Sequence, residues 1–288
     1  MTKKLFLYAI AAAAALQSVA AQPRLIVQIV VGSMRGEDLD RYAENFGEGG
    51  FRRLTEGGTV YADSRYDYQQ TTTPVSLATL TTGAMPSTHG VIGSRWVDYT
   101  TNRVVELTAG RRGPGAYNLI APTLSETLLQ HAPGSRSVTV AAEAVSAVVM
   151  AGRAGEVFWL DSARCDWVTS PYYASAVPEW IDRSNRERYN LSYISTEWRT
   201  LLERGRYLNT RNHDIALAGK SKKEKDLNGS GRLKLTDDYE RLLYTPAGNT
   251  AVLGLAKQAI AQYRLGDDKV PDLLNICLDT PRRISEAY

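Results

Sequence analysis

Short apolar runs recur along this chain with helical patterns between them, and this alternation restricts the fold more than any other feature. The apolar runs cover residues 25–31, 138–142, 157–160 and 273–278, and such runs are typical of strands buried on both faces of a parallel sheet. Helical periodicity occurs at 37–46, 123–131 and 250–263, and Asn249 is predicted to cap the last of these helices. The alternation predicts an α/β fold, a three-layer α/β/α sandwich around a mostly parallel sheet.

The first 21 residues are predicted to be a secretory signal peptide. Lys3 and Lys4 precede an apolar run at 5–16, and small residues stand directly before Gln22. The apolar run is too short for a membrane span, which takes about 20 residues. We therefore expect an exported chain, periplasmic or secreted, with no membrane span.

The rest of the chain divides by composition into a core and an insertion. Residues 22–163 and 245–288 carry the strand–helix alternation and are assigned to the α/β core. Residues 164–244 are rich in Tyr, Trp, Arg and Asn, and we assign them to a cap inserted into that core. Without Lys3 and Lys4 the 34 basic residues fall to 32, against 31 acidic residues, so a nucleic-acid partner is not expected.

The two cysteines, Cys165 and Cys277, leave two alternatives open. A disulfide between them can persist in an exported protein. Cys277 lies in an apolar run, so a buried unpaired thiol is the other alternative. Neither cysteine belongs to a cluster with metal-ligand spacing, and structural zinc is therefore not expected.

The segment TTTPVSLATL, starting at Thr71, predicts a helix with a hydroxyl at its first turn. Proline is favoured at the first helical position, so Pro74 makes Thr73 the predicted N-cap. A hydroxyl there faces free N–H groups and the positive end of the helix dipole, a setting that suits a phosphate group. The segment predicts either a phosphate-contacting threonine or an ordinary helix cap.

Six segments, in order along the chain, are similar to one family. They read RLIVQIVVGSMR, FGEGGFRRLTEGG, TTTPVSLATLTTGAMPSTHGVIGSRW, VFWLDSARCDWVTSPYY, TPAGNT and LGDDKVPDLLNICLDT. The chain resembles the alkaline phosphatase superfamily in its type I phosphodiesterase/nucleotide pyrophosphatase group, and within that group the periplasmic, zinc-dependent alkaline phosphatases with a threonine nucleophile. The resemblance implies a hydrolase site built on two zinc ions, with Thr73 at the nucleophile position.

By the same resemblance, other positions of the family's site carry different residues here. Gly32 stands where the first zinc-ligand aspartate ends the opening strand. Ser94 stands where an asparagine contacts a phosphoryl oxygen. A lysine and an arginine that contact the phosphoryl group correspond to Glu143 and Val145, so a carboxylate replaces a cation and inverts the electrostatics.

A later pair of family ligands, an aspartate and a histidine, corresponds to Pro281 and Ser285. Between them lie Arg282 and Arg283, which would repel a metal ion. The chain has only three histidines, and none is paired at ligand spacing, whereas a zinc site normally takes three or four N, O or S ligands. The resemblance therefore leads us to expect no bound zinc and no other cofactor.

These departures favour an exported family protein that is catalytically inactive, with Thr73 as a vestigial nucleophile. One alternative is a phosphate- or nucleotide-binding module without turnover, in which Thr73, Ser76 and more weakly Ser94 contact the ligand. In it, the aromatic residues of the insertion either stack on a ligand ring or pack the cap onto the core. The other alternative is an active phosphatase or phosphodiesterase whose ligands come from a second chain or from Asp63, Asp67 and Asp98.

The resemblance also bears on the C-terminal strand. The run at 273–278 corresponds to an interior strand of the family's sheet, and the chain stops at Tyr288, soon after it. We expect that strand to be left at a sheet edge. The chain is then a fragment, the product of a truncated frame, or a protein whose sheet a second chain completes.

Overall fold

A computed structural model describes residues 22–194, 198–199, 232–233 and 239–287. The predicted signal peptide (1–21) lies outside the described residues, as does most of 195–238. Within the described part, no helix combines the length and apolar character that a membrane crossing requires.

Nine strands and ten α-helices are named below in chain order. The strands are β1 (Leu25–Val31), β2 (Arg95–Asp98), β3 (Arg103–Glu106), β4 (Ser137–Ala141), β5 (Glu156–Asp161), β6 (Asp166–Val168), β7 (Trp198–Arg199), β8 (Arg232–Leu233) and β9 (Asp272–Leu278). The helices are α1 (Gly36–Arg41), α2 (Phe51–Gly57), α3 (Thr73–Thr82), α4 (Pro86–His89), α5 (Leu124–His131), α6 (Ala144–Ala151), α7 (Glu179–Arg186), α8 (Leu191–Ile194), α9 (Pro246–Tyr263) and α10 (Thr280–Ala287). Single 3-10 segments occupy Ala43–Asn45 and Tyr239–Tyr244.

The central sheet has five strands in the order β1-β9-β4-β5-β6. The first four are parallel to one another, and β6 pairs antiparallel with β5. Two further antiparallel pairs, β2 with β3 and β7 with β8, lie outside this sheet.

Alternate residues of the buried strands supply two apolar clusters, one on each face of the sheet. On one face Val140 of β4 and Ile276 of β9 pack with α9, α7 and the 3-10 segment. On the other face Ala141 and Cys277 pack with α3 and α6. Helices thus cover both faces of a mostly parallel sheet, and the predicted α/β sandwich is confirmed.

Each of the four predicted apolar runs forms a strand, and each end of these strands lies within one residue of its predicted position. The helix predicted at 123–131 begins at Leu124, because the Thr123 hydroxyl accepts from the Glu126 N–H and the Glu126 carboxylate accepts from the Thr123 N–H. The prediction that Asn249 caps the long helix is wrong. That helix begins four residues earlier, at Pro246 with Thr245 as N-cap, because proline fits the first helical turn.

The expected position of the C-terminal strand is also wrong. β9 lies between β1 and β4 and is buried over residues 272–277. The strand at this edge of the sheet is β1, which among the described residues pairs only with β9 and leaves Val27 45% and Ile29 50% exposed. An apolar run therefore indicated a strand correctly but not its place in the sheet.

The described part of the predicted cap packs directly against the sheet. Trp167 of β6 is buried and donates its Nε1–H to the Asn190 side-chain oxygen at 3.0 Å. The Trp180 ring meets the rings of Phe158 and Tyr263, with centroids 6.3 and 5.8 Å away. These aromatic residues pack onto the core, which is one of the two roles left open, and the division into core and cap stays a prediction.

Both cysteines are free and buried. Cys165 belongs to the apolar cluster on one face of the sheet and Cys277 to the cluster on the other. Burial raises the pKa of Cys165 to about 12. The structure thus has two buried thiols and no disulfide between them.

Candidate functional site

Three parallel strands bring the candidate site together at their carboxyl ends. Gly32 follows β1, Asp279 follows β9, and Glu143 lies two residues after β4. The Gly32 N–H donates to the Leu278 carbonyl at 3.0 Å, and the Glu143 N–H donates to Asp279 Oδ2 at 3.3 Å. This edge is where open α/β sheets bind ligands.

Thr73 begins helix α3, which packs beside α6. Near the ends of these helices the Thr81 hydroxyl donates to the Val149 carbonyl at 3.3 Å. The two helices therefore pack side by side, and Glu143 is the N-cap of α6.

The prediction that Thr73 is the N-cap is wrong by one residue. Thr72 is the N-cap, with extended backbone (φ −66°, ψ 155°) and no hydrogen bond from its side chain to the helix. Thr73 occupies the first helical turn and is half-buried. Among the described residues, no side chain hydrogen-bonds to its hydroxyl.

The two other predicted ligand-contacting serines lie in different settings. Ser76 is half-buried in the first turn of α3, and its hydroxyl hydrogen-bonds to Tyr66; burial nevertheless raises the pKa of Tyr66 overall. Ser94 is exposed just before β2, and its carbonyl accepts from the Leu107 N–H at 2.9 Å. Ser76 thus shares a helical turn with Thr73, whereas no described contact joins Ser94 to that turn.

The strongest charged interaction at the edge joins Glu143 to the two arginines of α10. One carboxylate oxygen, Glu143 Oε1, accepts from Arg282 Nη2 and from Arg283 Nε, both at 2.7 Å. The three side chains are only 19–26% exposed. Burial alone would raise the pKa of Glu143, but the adjacent guanidinium groups outweigh it and hold that pKa below its ordinary value.

Asp279 forms a second, fully buried network that the sequence reasoning missed. Its Oδ1 accepts from the Ser146 hydroxyl at 2.7 Å and from Cys277 Sγ at 3.2 Å, while Oδ2 accepts from the Glu143 N–H. Burial raises the pKa of Asp279 to about 6 although these donors lower it. The sequence signal that could have revealed this network is an aspartate directly after a buried strand, at the same edge of the sheet as Gly32.

The remaining positions marked by the resemblance carry no metal-binding groups. A Cβ on Gly32 would lie 3.7 Å from Arg282 Cβ, so this position is next to α10. Val145 packs into the apolar cluster beside α3. Pro281 opens the first turn of α10, and the exposed Ser285 donates its hydroxyl to the Arg282 carbonyl.

The donor chemistry of this edge does not fit a pair of zinc ions. No group of three His, Cys, Asp or Glu side chains within the described ranges is arranged to hold a metal. Of the carboxylates present, Glu143 already accepts hydrogen bonds from two guanidinium groups, and Asp279 accepts three hydrogen bonds. Burial raises the pKa of the Cys277 thiol well above the ordinary value, so forming the thiolate that binds a metal would carry an added cost.

The histidines do not supply the missing ligands. His89 is fully buried; its Nδ1 accepts from the Val91 N–H and its Nε2 meets the Thr79 hydroxyl at 3.1 Å. His131 hydrogen-bonds to the Thr127 carbonyl of its own helix. His213 lies outside the described residues.

Comparison with known proteins places the chain in a family. The sequence profile described as type I phosphodiesterase / nucleotide pyrophosphatase matches residues 26–254. The chain therefore belongs to this family, a member of the alkaline phosphatase superfamily.

Individual relatives agree with this assignment. The chain is 29% identical over 283 residues to alkaline phosphatase PafA of Elizabethkingia meningoseptica, covering 89% of this chain and 50% of the relative. It is 29% identical over 290 residues to a Myroides odoratus protein named "Calcium-transporting ATPase", covering 93% and 52%. The match to alkaline phosphatase PhoV of Synechococcus elongatus is 26% over 284 residues, covering 93% and 52%.

A solved structure extends the similarity to the fold. The crystal structure of wild-type alkaline phosphatase PafA superposes with a TM-score of 0.84 at 26% identity, covering 94% of this chain and 55% of that one. The chain spans about half the length of the curated relatives that it matches.

Proposed function

We propose that this chain is an exported member of the phosphodiesterase family that binds no catalytic zinc and does not hydrolyse phosphoesters. The observation that carries the proposal is the ion cluster at the carboxyl edge. Arg282 and Arg283 hold the Glu143 carboxylate there, and a Cβ on Gly32, where the resemblance implies a zinc ligand, would lie 3.7 Å from Arg282 Cβ. A divalent cation would have to displace two charge-assisted hydrogen bonds to bind this carboxylate.

The setting of Thr73 supports the same proposal. A threonine hydroxyl is a weak nucleophile unless a base, a lowered pKa or a metal activates it. The described residues supply no side-chain partner for its hydroxyl, and the Glu143 carboxylate at the carboxyl edge of the sheet is held by the arginine pair.

Export rests on the N-terminal segment, whose basic start and apolar run at 5–16 are typical of a signal peptide. Cell fractionation of the expressed full chain tests it. We expect a mature protein beginning at or near Gln22 outside the cytoplasm, and an uncleaved cytoplasmic product would contradict it.

An activity assay tests the proposed inactivity. The purified chain, supplied with zinc, is incubated with an aryl phosphate monoester and an aryl phosphodiester, beside a matched Thr73→Ala variant. We expect both proteins to release no more product than buffer. Zinc-dependent hydrolysis by the natural chain that Thr73→Ala abolishes would overturn the proposal.

The open edge of the sheet favours a second candidate, a hydrolase completed by another polypeptide. Within the part of the chain that the structure describes, β1 has no strand on one side and exposes Val27 and Ile29, which suits the addition of a strand. Co-expression with any adjacent reading frame that encodes the unmatched half of the relatives tests this candidate. A stable complex that hydrolyses phosphoesters with zinc, and that Ile29→Lys prevents from forming, would support it over the inactive chain.

A further inference from the structure

The arginine pair of α10 holds the Glu143 carboxylate as such pairs hold small bound anions. Two donors from different guanidinium groups, Arg282 Nη2 and Arg283 Nε, converge on one oxygen at 2.7 Å. Convergent, charge-assisted donors of this kind recognise carboxylates and phosphates alike. Glu143 therefore occupies a small anion site made by the two arginines.

The arginines are positioned by contacts that do not involve Glu143. Arg283 donates through Nη1 to the Tyr244 hydroxyl at 3.0 Å, and its guanidinium lies 5.4 Å from the centre of that ring. Arg282 donates through Nη1 to both oxygens of Glu286 at 3.0 Å. The donors that face Glu143 should therefore stay close to their present places when its carboxylate is removed.

Arg282 also has an unused donor. Its Nε is buried and has no hydrogen-bond partner among the described residues. An unsatisfied N–H on a guanidinium group is costly. A tetrahedral anion offers more acceptor oxygens than a carboxylate, and one of them can accept from this nitrogen.

We propose that Arg282 and Arg283 form a binding site for a small oxyanion of the phosphate class, which Glu143 occupies as an internal ligand. The inference rests on the proposed function in one respect, since it takes the edge to be free of zinc. The cation pair on α10 then replaces the metal as the source of positive charge, and external phosphate competes with the Glu143 carboxylate.

The charges around the site explain why the internal ligand dominates. Glu143 and Glu286 pair with the two guanidinium groups, and the buried Asp279 lies next to Glu143, so the intact cluster has no excess positive charge. Glu286 is exposed, and its charge is screened by solvent and salt. Removing the Glu143 charge thus leaves two cations whose only hydrogen-bonded carboxylate among the described residues is the exposed Glu286.

Phosphate titration of Glu143 variants tests the proposal. Dissociation constants are measured by calorimetry in EDTA, with chloride keeping the ionic strength constant, for the natural chain, Glu143→Ala and Glu143→Gln. We expect at least a tenfold lower dissociation constant for both variants than for the natural chain, and a larger rise in melting temperature with phosphate.

Two controls separate the site from general electrostatics. Glu156→Gln removes a carboxylate from a different ion pair, 3.2 Å from Arg136, and makes the same change in net charge; it should leave phosphate affinity unchanged. Adding Arg283→Ala to Glu143→Ala should return the affinity to the natural level. If both Glu143 variants bind phosphate no better than the natural chain, or Glu156→Gln gains equally, the proposal is overturned.

If Glu143→Ala and Glu143→Gln fail to fold, Glu143→Asp takes their place in the test. Its shorter side chain withdraws the carboxylate from the arginines while keeping its charge near the helix start. That variant should also gain phosphate affinity over the natural chain, and an unchanged affinity overturns the proposal. The titration contains neither zinc nor a phosphoester, so its failure leaves the proposed inactivity untouched. Conversely, hydrolysis in the activity assay would reject the proposed function whatever the titration shows.

Discussion

The Arg283 guanidinium donates a 2.7 Å hydrogen bond to the Glu143 carboxylate, joining residues that lie 140 positions apart in the chain. Glu143 precedes α6 and Arg283 belongs to the first turn of α10, so the contact ties two helices across the carboxyl edge of the sheet. The family resemblance implies metal ions at this edge. In this chain, the positive charges there are two arginine side chains, and the carboxylate that pairs with them is Glu143.

Breaking this contact should destabilise the protein. We expect Arg283→Met to lower the free energy of unfolding by about 1–3 kcal/mol, because it leaves a half-buried carboxylate with one fewer charged donor. Urea denaturation measures the change. The control is Arg264→Met, which breaks a pair with Asp267 in which both side chains are more than half exposed; its effect should stay below about 1 kcal/mol. Equal effects of the two substitutions would contradict the structural role of the cluster.

The buried Asp279 should make stability depend on pH. Its pKa is about 6 in the folded protein against an ordinary 3.8, so the folded state binds the proton more tightly than the unfolded state. The resulting stabilisation is complete below about pH 4 and is lost as the pH rises to about 6, a change of up to about 3 kcal/mol. We expect urea denaturation to show this loss in the natural chain and not in Asp279→Asn. Parallel pH profiles of the two proteins would refute the assignment.

His89 should make stability depend on pH in the opposite direction to Asp279. Burial lowers its pKa below the ordinary 6.5, and its Nδ1 accepts from the Val91 N–H, which fits the neutral ring. The unfolded state therefore binds the proton more tightly, and stability should fall as the pH drops below about 6.5. His89→Asn keeps an acceptor near Val91 but does not titrate. Between pH 7 and pH 5 the natural chain should lose stability relative to this variant, and a constant difference between the two proteins would contradict this account.

Restoring a carboxylate at Gly32 should not restore a metal site. A Cβ there meets only ordinary contacts, the nearest being the Leu278 carbonyl oxygen at 3.4 Å. We expect Gly32→Asp to fold with a change below about 1 kcal/mol, to pair with Arg282 and to bind no zinc. Gly90→Asp is the control, because φ of +78° and the Ile120 side chain 2.6 Å away make it strained. Stoichiometric zinc in Gly32→Asp would show that the arginines do not exclude the metal.

The sequence predicted elements better than their arrangement. Periodicity is a local property, so the four parallel strands and the helix capped by Thr123 could be located from the chain alone, whereas the short antiparallel strands were not predicted. The order of strands depends on contacts between distant segments, and for this reason the exposed edge at β1 and the central place of β9 were not foreseen. The start of α3 was predicted one residue too late, because a proline is tolerated at either of the first two helical positions and Pro74 occupies the second.

For the site, the sequence indicated which groups are missing but not what replaces them. Position 32 alone shows that the expected aspartate is missing, because a glycine stands there. The pairing of Glu143 with Arg282 and Arg283, and the burial of Asp279 against Ser146, arise only when β4 and β9 lie side by side. Residues about 140 positions apart carry no mutual signal in a single sequence.

Zinc content tests the central claim most directly. The purified chain is dialysed against excess zinc, passed over a desalting column and analysed for metal by mass spectrometry, beside a zinc-binding phosphatase of the same family handled identically. The account predicts two zinc ions per molecule in the reference enzyme and none in this chain. Two zinc ions per molecule in this chain, lost on substitution of Thr73 or Asp279, would contradict it.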